Sequence, residues 1–136
     1  MNKRLVNVVA LGSRDYYKVA VALYKNGQLG KLITDFYCPN VLRKIIKKRH
    51  SLELPSGDTL SLWPFVLVAS LLSRLIASGS AQRNLRVDFC FGYISALITF
   101  FGRRDAIVYS YYGRGFAYFL NHFKIKTVKY IIFQVH

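Results

Sequence analysis

The stretch Leu5-Val-Asn-Val-Val-Ala-Leu-Gly-Ser-Arg-Asp15 determines the expected fold. It begins with a nearly continuous apolar run rich in valine, which is typical of a strand that is covered on both faces in a parallel sheet. Gly12 then interrupts the run, and Asp15 is the expected N-cap of a helix over Tyr16–Asn26. The apolar residues of that helix recur at helical spacing, and Gly27 is expected to end it. The stretch therefore predicts a strand, a turn and a helix in succession.

The rest of the chain continues this alternation of strands and helices. A second strand is predicted over Lys31–Tyr37, because β-branched and aromatic residues fill it and Pro39 closes it. Strand, helix and strand in this order form a βαβ unit, for which parallel pairing is expected. The same signals predict the later elements: strands over Thr59–Trp63, Ala106–Ser110 and Thr127–Val135, and helices over Pro64–Ser78, Ala81–Phe101 and from about Gly115 to Phe123. The expected class is α/β, a Rossmann-like open parallel sheet with flanking helices, built as one domain over residues 1–136.

A basic segment, Val41–His50, is predicted to form a short amphipathic helix. Its apolar and basic residues would occupy opposite faces: Val41, Leu42, Ile45 and Ile46 on one, and Arg43, Lys44, Lys47 and Lys48 on the other. One role for such a helix is to lie on anionic lipid headgroups, where each basic residue contributes about 1 kcal/mol. The role that we favour is a solvated helix whose apolar side packs on the sheet.

The charge of the chain limits its partners. Twenty Lys and Arg residues against six acidic residues give a formal net charge of +14, which favours phosphate-bearing partners or an anionic membrane surface. Nucleic acid is not the expected partner, because the aromatic residues lie within apolar segments and no RRM, KH, zinc or helix-turn-helix pattern is present.

The cysteines and the apolar stretches indicate a cytoplasmic protein. Cys38 and Cys90 have no metal-ligand spacing and lie in apolar surroundings, which is typical of reduced, packed thiols. The opening residues predict a first strand and not a signal peptide, because Asn7 interrupts the apolar run and no small-residue cleavage site follows it. Leu62–Ser73 and Phe89–Phe101 are each shorter than the ~20 residues that span a bilayer, so core or interfacial helices are expected.

Several strings resemble the N-terminal domain of bacterial group 1 (family 4-like) glycosyltransferases of the GT-B type. Gly12–Tyr17 and Leu32–Tyr37 resemble the family's arginine- and aromatic-rich turn and its "LVTDFY" strand. Val108–Tyr112 and Tyr130–His136 resemble its "VYSYS" and "LFQVHP" strands, in the same order. The resemblance implies an acceptor-binding half whose C-terminal, donor-binding half is absent. The last predicted strand reaches His136 with no element after it, so a C-terminal truncation is the expectation.

The candidate site residues follow strands, where open α/β sheets bind their ligands. The resemblance implies that His136 is catalytic and faces the donor sugar. It also implies that Arg14 and Tyr16 line the cleft between the two halves. Gly12 is a further candidate for substrate binding because its turn leads into a helix N-terminus, and Tyr112 and Arg114 are candidates because aromatic rings beside an arginine suit sugar faces or phosphates. The residues alone leave other readings open. The alternative for the first turn is a plain βα turn capped by Asp15. The alternative for the tyrosines is packing in the core, and the alternative for His136 is a chain-terminal histidine without a function.

The resulting hypothesis is transfer of a sugar from a nucleotide-sugar donor to a glycan or lipid-linked acceptor. A peripheral contact with an anionic membrane would suit it, and this half alone is not expected to be active. No cofactor is expected, and no metal, because His50 and His122 have no carboxylate or cysteine at ligand spacing. The alternatives are a basic nucleic-acid-binding protein and a non-catalytic membrane-associated remnant. The donor, the acceptor, the stereochemistry and the oligomeric state stay open.

Overall fold

The computed structural model describes residues 5–12, 17–38, 40–42, 44–47, 51–76, 79–102, 107–111, 114–126 and 129–133. Within these ranges the chain alternates between strands and helices. In chain order the elements are β1 (Val6–Ala10), α1 (Lys18–Lys25), β2 (Leu29–Thr34), β3 (Thr59–Ser61), α2 (Trp63–Ile76), α3 (Ser80–Phe101), β4 (Ile107–Tyr111), α4 (Arg114–His122) and β5 (Tyr130–Phe133). The predicted α/β class is confirmed.

The five strands form one sheet in the order β3-β2-β1-β4-β5, and every neighbouring pair is parallel. At its centre, Val9 of β1 pairs with Ile33 of β2 on one side and with Ser110 of β4 on the other. The chain builds the sheet outward from β1 to β3 and then returns to add β4 on the opposite side of β1. The strand order therefore reverses between β1 and β4, and this point is the topological switch point of the sheet.

Both faces of the sheet are covered, as the valine-rich first strand predicts. Alternate residues of a strand point to opposite faces. Val9 and Ile33 pack on the side of α3 and α4 with Phe116, whereas Leu32 belongs to a second cluster with Ala20 of α1. These five side chains are almost completely buried. Two separate apolar clusters on opposite faces explain why the strand residues show no polar alternation.

Helix α1 begins later than its pattern predicts. The N-cap position is Tyr17, in the left-handed conformation with φ 60° and without a side-chain cap, and the proposed cap Asp15 lies outside the described residues. The other end is as expected: Gly27 has φ +63°, and its N–H donates to the carbonyl of Tyr24 at 2.9 Å. Strand β2 starts at Leu29, ahead of the predicted Lys31, because its parallel register with β1 pairs Leu29 with Val6.

The predicted basic amphipathic helix over Val41–His50 is wrong for the described residues. Asn40–Leu42 form only a short 3-10 turn. Val41 and Ile45 are 88% and 80% exposed, so the apolar side does not pack on the sheet. A segment of about ten residues is too short to be a stable helix in water without a packing partner, and the sheet provides none here.

Helix α3 agrees closely with the prediction over Ala81–Phe101 and begins one residue earlier, at Ser80. It covers 22 residues, and because an 18-residue window within it has a mean hydropathy of 1.2, it is the one helix in the described part that is long and apolar enough to cross a membrane. Its second half supplies buried residues to the protein core, among them Phe91 and Ala96. This half also packs against α4. Such burial is equally typical of the core helix of a globular domain.

The two cysteines differ in environment. Cys38 is buried, as expected for a packed thiol, whereas Cys90 on α3 is exposed. The prediction of two packed thiols is therefore wrong for Cys90. The physical reason is that Cys90 lies on the side of α3 that faces α2 across an open groove. Neither cysteine forms a disulfide in the part of the chain that the structure describes.

Candidate functional site

Two of the predicted site residues flank the topological switch point. Gly12 lies two residues after the end of β1, and Arg114 opens α4 three residues after the end of β4. Because β1 and β4 are neighbours and parallel, both strands end at the same, carboxyl edge of the sheet. Gly12 and Arg114 thus follow strands that end at this edge. The other predicted site residues lie outside the described ranges: Arg14, Tyr16, Tyr112 and His136.

The turn after β1 is fixed to the end of β2 by a carboxylate. Asp35 follows β2, and its Oδ1 accepts a hydrogen bond from the Gly12 N–H at 3.0 Å. The same oxygen accepts a second bond from Thr34 Oγ1, also at 3.0 Å, and Thr34 is fully buried. Gly12 has φ +84°, a conformation that glycine adopts at low cost. Asp35 thus holds the backbone of the first turn in place.

Asp35 was not among the predicted site residues. Its signal in the sequence is its position, since it is a charged residue at the carboxyl end of a buried strand of the first βαβ unit. Nothing in the sequence shows that its carboxylate turns back to the Gly12 backbone.

Polar contacts also connect the ends of β2 and β3. Ser61 is the last residue of β3; its Oγ donates to the Asp35 carbonyl at 3.4 Å and accepts from the Tyr37 N–H at 3.1 Å. Tyr17 at the start of α1 donates its hydroxyl hydrogen to the Phe36 carbonyl at 3.3 Å. Three neighbouring strands therefore end in a hydrogen-bonded edge. We call Gly12, Thr34, Asp35, Tyr37 and Ser61 the carboxyl-edge network.

Tyr37 anchors this network to the segment that follows. Its ring is buried, and its hydroxyl both donates to the Ser51 carbonyl at 2.8 Å and accepts from the Ser51 N–H at 3.1 Å. Burial raises the pKa of Tyr37 above its ordinary value of 10.0. The hydrogen bond with the Ser51 backbone opposes this rise in pKa, and the neighbouring Cys38 adds to it. The hydroxyl is therefore kept neutral, in the form that both donates and accepts.

We expect Tyr37→Phe to lower the free energy of unfolding by about 1–3 kcal/mol, because it leaves two partly buried backbone groups of Ser51 without this partner. The pKa of Tyr37 is higher in the folded than in the unfolded protein, so its stabilising effect is complete below pH 10 and is lost as the pH rises through the folded value. Urea unfolding at pH 7 and above pH 10 measures both effects. The exposed Tyr24 supplies the control, Tyr24→Phe. Equal losses in the two variants at pH 7 would contradict this role of Tyr37.

A separate feature is an open groove of about 520 Å³ between α2, α3 and the start of α4. We call it the α2–α3 groove. It is lined by Ala69, Leu72, Ser73, Ile76, Leu85, Arg86, Phe89, Cys90 and Arg114. Arg114 thus belongs both to the switch-point edge and to this groove. Among the described residues that line it, apolar side chains dominate and the two arginines are the charged ones.

The sequence pattern did not reveal this groove. It predicted α2 from a dense run of apolar residues, which is the usual signal for a buried helix. In the structure Ser73 is the buried residue of α2. The large apolar side chains of this helix are partly or largely exposed. A run that is apolar on all sides gives no information about which side has a neighbour.

No metal-binding group is found among the described residues, where three or more His, Cys, Asp or Glu side chains do not come together. His122 lies at the end of α4 and stacks on Tyr118, with the ring centroids 5.6 Å apart. Comparison of the chain with protein families, curated proteins and solved structures gives no match.

Proposed function

We propose that the chain is the acceptor-side domain of a sugar-transferring enzyme, with its substrate at the carboxyl edge of the sheet between β1 and β4. The observation that carries this proposal is the reversal of strand order at that point, with Gly12 on one side and Arg114 on the other. Open parallel sheets bind their ligands at such a reversal. The identification of the ligand as a sugar rests on the family resemblance of the strings around these strands.

The proposed roles follow from the position of each residue along the chain. The turn after β1 carries Arg14 and Tyr16, and Tyr112 lies in the segment between β4 and Arg114. Arginine suits phosphate or carboxylate groups, and tyrosine suits the apolar face of a sugar ring. The hydrogen bond from Gly12 to Asp35 fixes the backbone where this segment begins.

His136 is proposed as the catalytic residue. It follows β5, which pairs with β4, so its segment leaves the same edge of the sheet. A histidine there is suited to take or give a proton as the acceptor hydroxyl displaces the nucleoside diphosphate at the anomeric carbon. The donor would be held by a second domain. The reaction needs no organic cofactor.

The charge of the chain supports anionic substrates. The formal net charge of +14 attracts both a nucleotide sugar and a lipid phosphate, and it favours peripheral contact with an anionic membrane on the cytoplasmic side.

The test is sugar transfer by the product of the complete reading frame. We expect label from one of a panel of radioactive nucleotide sugars to enter a lipid-extractable or polymeric product. His136→Ala should lower that rate by a factor of about 10² or more, which is typical for loss of a general acid or base. His122→Ala, in the exposed histidine of α4, should leave the rate nearly unchanged. No transfer from any donor, or equal rates in the two variants, would contradict the proposal.

The charge also keeps nucleic acid as a second candidate. If the chain binds nucleic acid, we expect it to bind DNA of any sequence with an affinity that falls steeply as the salt concentration rises, since each phosphate contact releases a counterion. Titration of labelled duplex DNA at 50 mM and 200 mM salt separates the two. The proposed enzyme should show only weak binding at both concentrations.

A further inference from the structure

We propose that the α2–α3 groove binds the alkyl chain of a phosphate-bearing amphiphile, and that Arg86 and Arg114 hold its phosphate. The binding itself does not depend on sugar transfer. If the proposed function is correct, this amphiphile is the lipid-linked acceptor, and that identification rests on the proposed function.

The groove has the size and lining of a ligand site. Its volume of about 520 Å³ lies within the range of small-molecule sites, roughly 300–1,000 Å³. Its lining along α2 extends from Ala69 to Ile76, which corresponds to about 10 Å of helix at ~1.5 Å per residue. Leu85 and Phe89 of α3 line it as well. This is an elongated apolar surface, and an alkyl chain would remove it from water.

The charges of the groove select an anionic headgroup. Arg86 and Arg114 are both exposed and line the groove, and none of its described lining residues is acidic. In the part of the chain that the structure describes, neither guanidinium forms a salt bridge; the ion pair found there joins Lys25 and Glu53. Two free guanidinium groups can bind the oxygens of one phosphate through paired hydrogen bonds. An apolar floor with two cations matches an amphiphile with an anionic head.

The position of Arg114 connects the groove with the proposed sugar site. Arg114 follows Tyr111, the last residue of β4, and opens α4 at the carboxyl edge of the sheet. At the start of α4, Gly115 lies directly against the backbone of Phe89 on α3. A phosphate held by Arg114 would therefore lie where the sheet edge meets the groove. The head of the amphiphile would face the sugar site while its chain lies between the two helices.

Two neighbouring leucines distinguish this groove from a general apolar surface. Leu71 and Leu72 of α2 are each 52% exposed, but only Leu72 lines the groove. Successive residues of a helix point about 100° apart, so the two side chains lie on different sides of α2. A bilayer or a second copy of the chain covering α2 as a whole would contact both. An alkyl chain bound in the groove contacts Leu72 and not Leu71.

The experiment is a calorimetric titration of the full chain with dodecyl phosphate below its micelle concentration. We expect saturable binding that Leu72→Asn weakens about tenfold or more and that Leu71→Asn leaves nearly unchanged. Arg86→Ala should also weaken it about tenfold, as expected for loss of a hydrogen bond to a charged group. Arg74→Ala, in an exposed arginine of α2 outside the groove lining, is the matched control. Far-ultraviolet circular dichroism checks that each variant is folded.

Three results would overturn the proposal. Equal losses in the Leu71 and Leu72 variants would show that the alkyl chain binds across α2 as a whole and not in the groove. Binding of dodecyl maltoside as tight as that of dodecyl phosphate would exclude a role for the arginines. If inorganic phosphate binds as tightly as dodecyl phosphate, a role for the alkyl chain is excluded. Dodecyl phosphate binding without sugar transfer by the complete reading frame would contradict the proposed function alone.

Discussion

Gly115→Ala is expected to lower the free energy of unfolding by about 3 kcal/mol or more, because the added methyl group meets backbone that cannot give way. The new Cβ would lie against the Phe89 carbonyl oxygen and within 2.8 Å of the Phe89 carbonyl carbon and the Tyr93 nitrogen. To relieve these contacts, α4 must move away from α3. Overpacking of a close-packed contact costs typically ~1–3 kcal/mol, and more where only backbone atoms are in contact.

Urea unfolding followed by circular dichroism measures the effect. The control is Gly57→Ala, because a Cβ at Gly57 meets nothing within 4 Å and its φ is ordinary. It should change the free energy of unfolding by no more than about 0.5 kcal/mol. Gly92→Ala should fall between the two, since its Cβ would lie 3.0 Å from the Phe116 nitrogen. A loss below ~1 kcal/mol for Gly115→Ala would contradict the close packing of α3 and α4.

The second large effect is expected from Leu32→Ala, which should lower the free energy of unfolding by about 2–5 kcal/mol. Leu32 is fully buried in β2 and packs in the cluster that joins the sheet to α1, together with Val8 and Ala20. Removing its isopropyl group leaves a cavity between the sheet and that helix. The variant therefore tests whether the second face of the sheet is covered.

The control for this variant is Leu52→Ala. Leu52 is 77% exposed, so its truncation should change the free energy of unfolding by about 0.5 kcal/mol or less. Chemical denaturation of the two variants under the same conditions gives the comparison. Similar losses in both would mean that α1 does not cover β2.

The sequence predicted the sheet well because its strands carry an unambiguous signal. The valine-rich run of β1 and the β-branched residues of β2 can be buried only when both faces are covered, and this condition selects a parallel sheet. The glycine after α1 is a similarly local signal. Each depends on residues that are close in sequence, so each could be assigned without knowledge of the rest of the chain.

The failures came where a tertiary contact decides the structure. The segment over Val41–His50 has helical spacing, but no surface of the sheet is available to bury its apolar side. The exact start of β2 depends on its register with β1. The exposure of α2 and of Cys90 depends on how closely α2 approaches α3, and residue spacing does not encode that distance.

The position of the candidate site could be predicted from the sequence, but only some of its residues could be identified. Gly12 and Arg114 could be placed at the carboxyl edge because the chain order of strands and helices puts them there. Asp35 could not be identified as the anchor of the first turn, since its hydrogen bond crosses from one strand end to another. The α2–α3 groove likewise requires three helices to be positioned together.

The most direct test of the central claim, that sugars bind between the ends of β1 and β4, is a titration of the ¹⁵N-labelled chain with a panel of methyl glycosides. Each amide signal reports binding near its own residue. We predict that shifts concentrate on Gly12, Asp35 and Arg114 and saturate with glycoside concentration. The account would be contradicted if saturating shifts fell instead on the exposed side of α1, at Lys18 and Lys25, or if no glycoside changed the amides at the carboxyl edge.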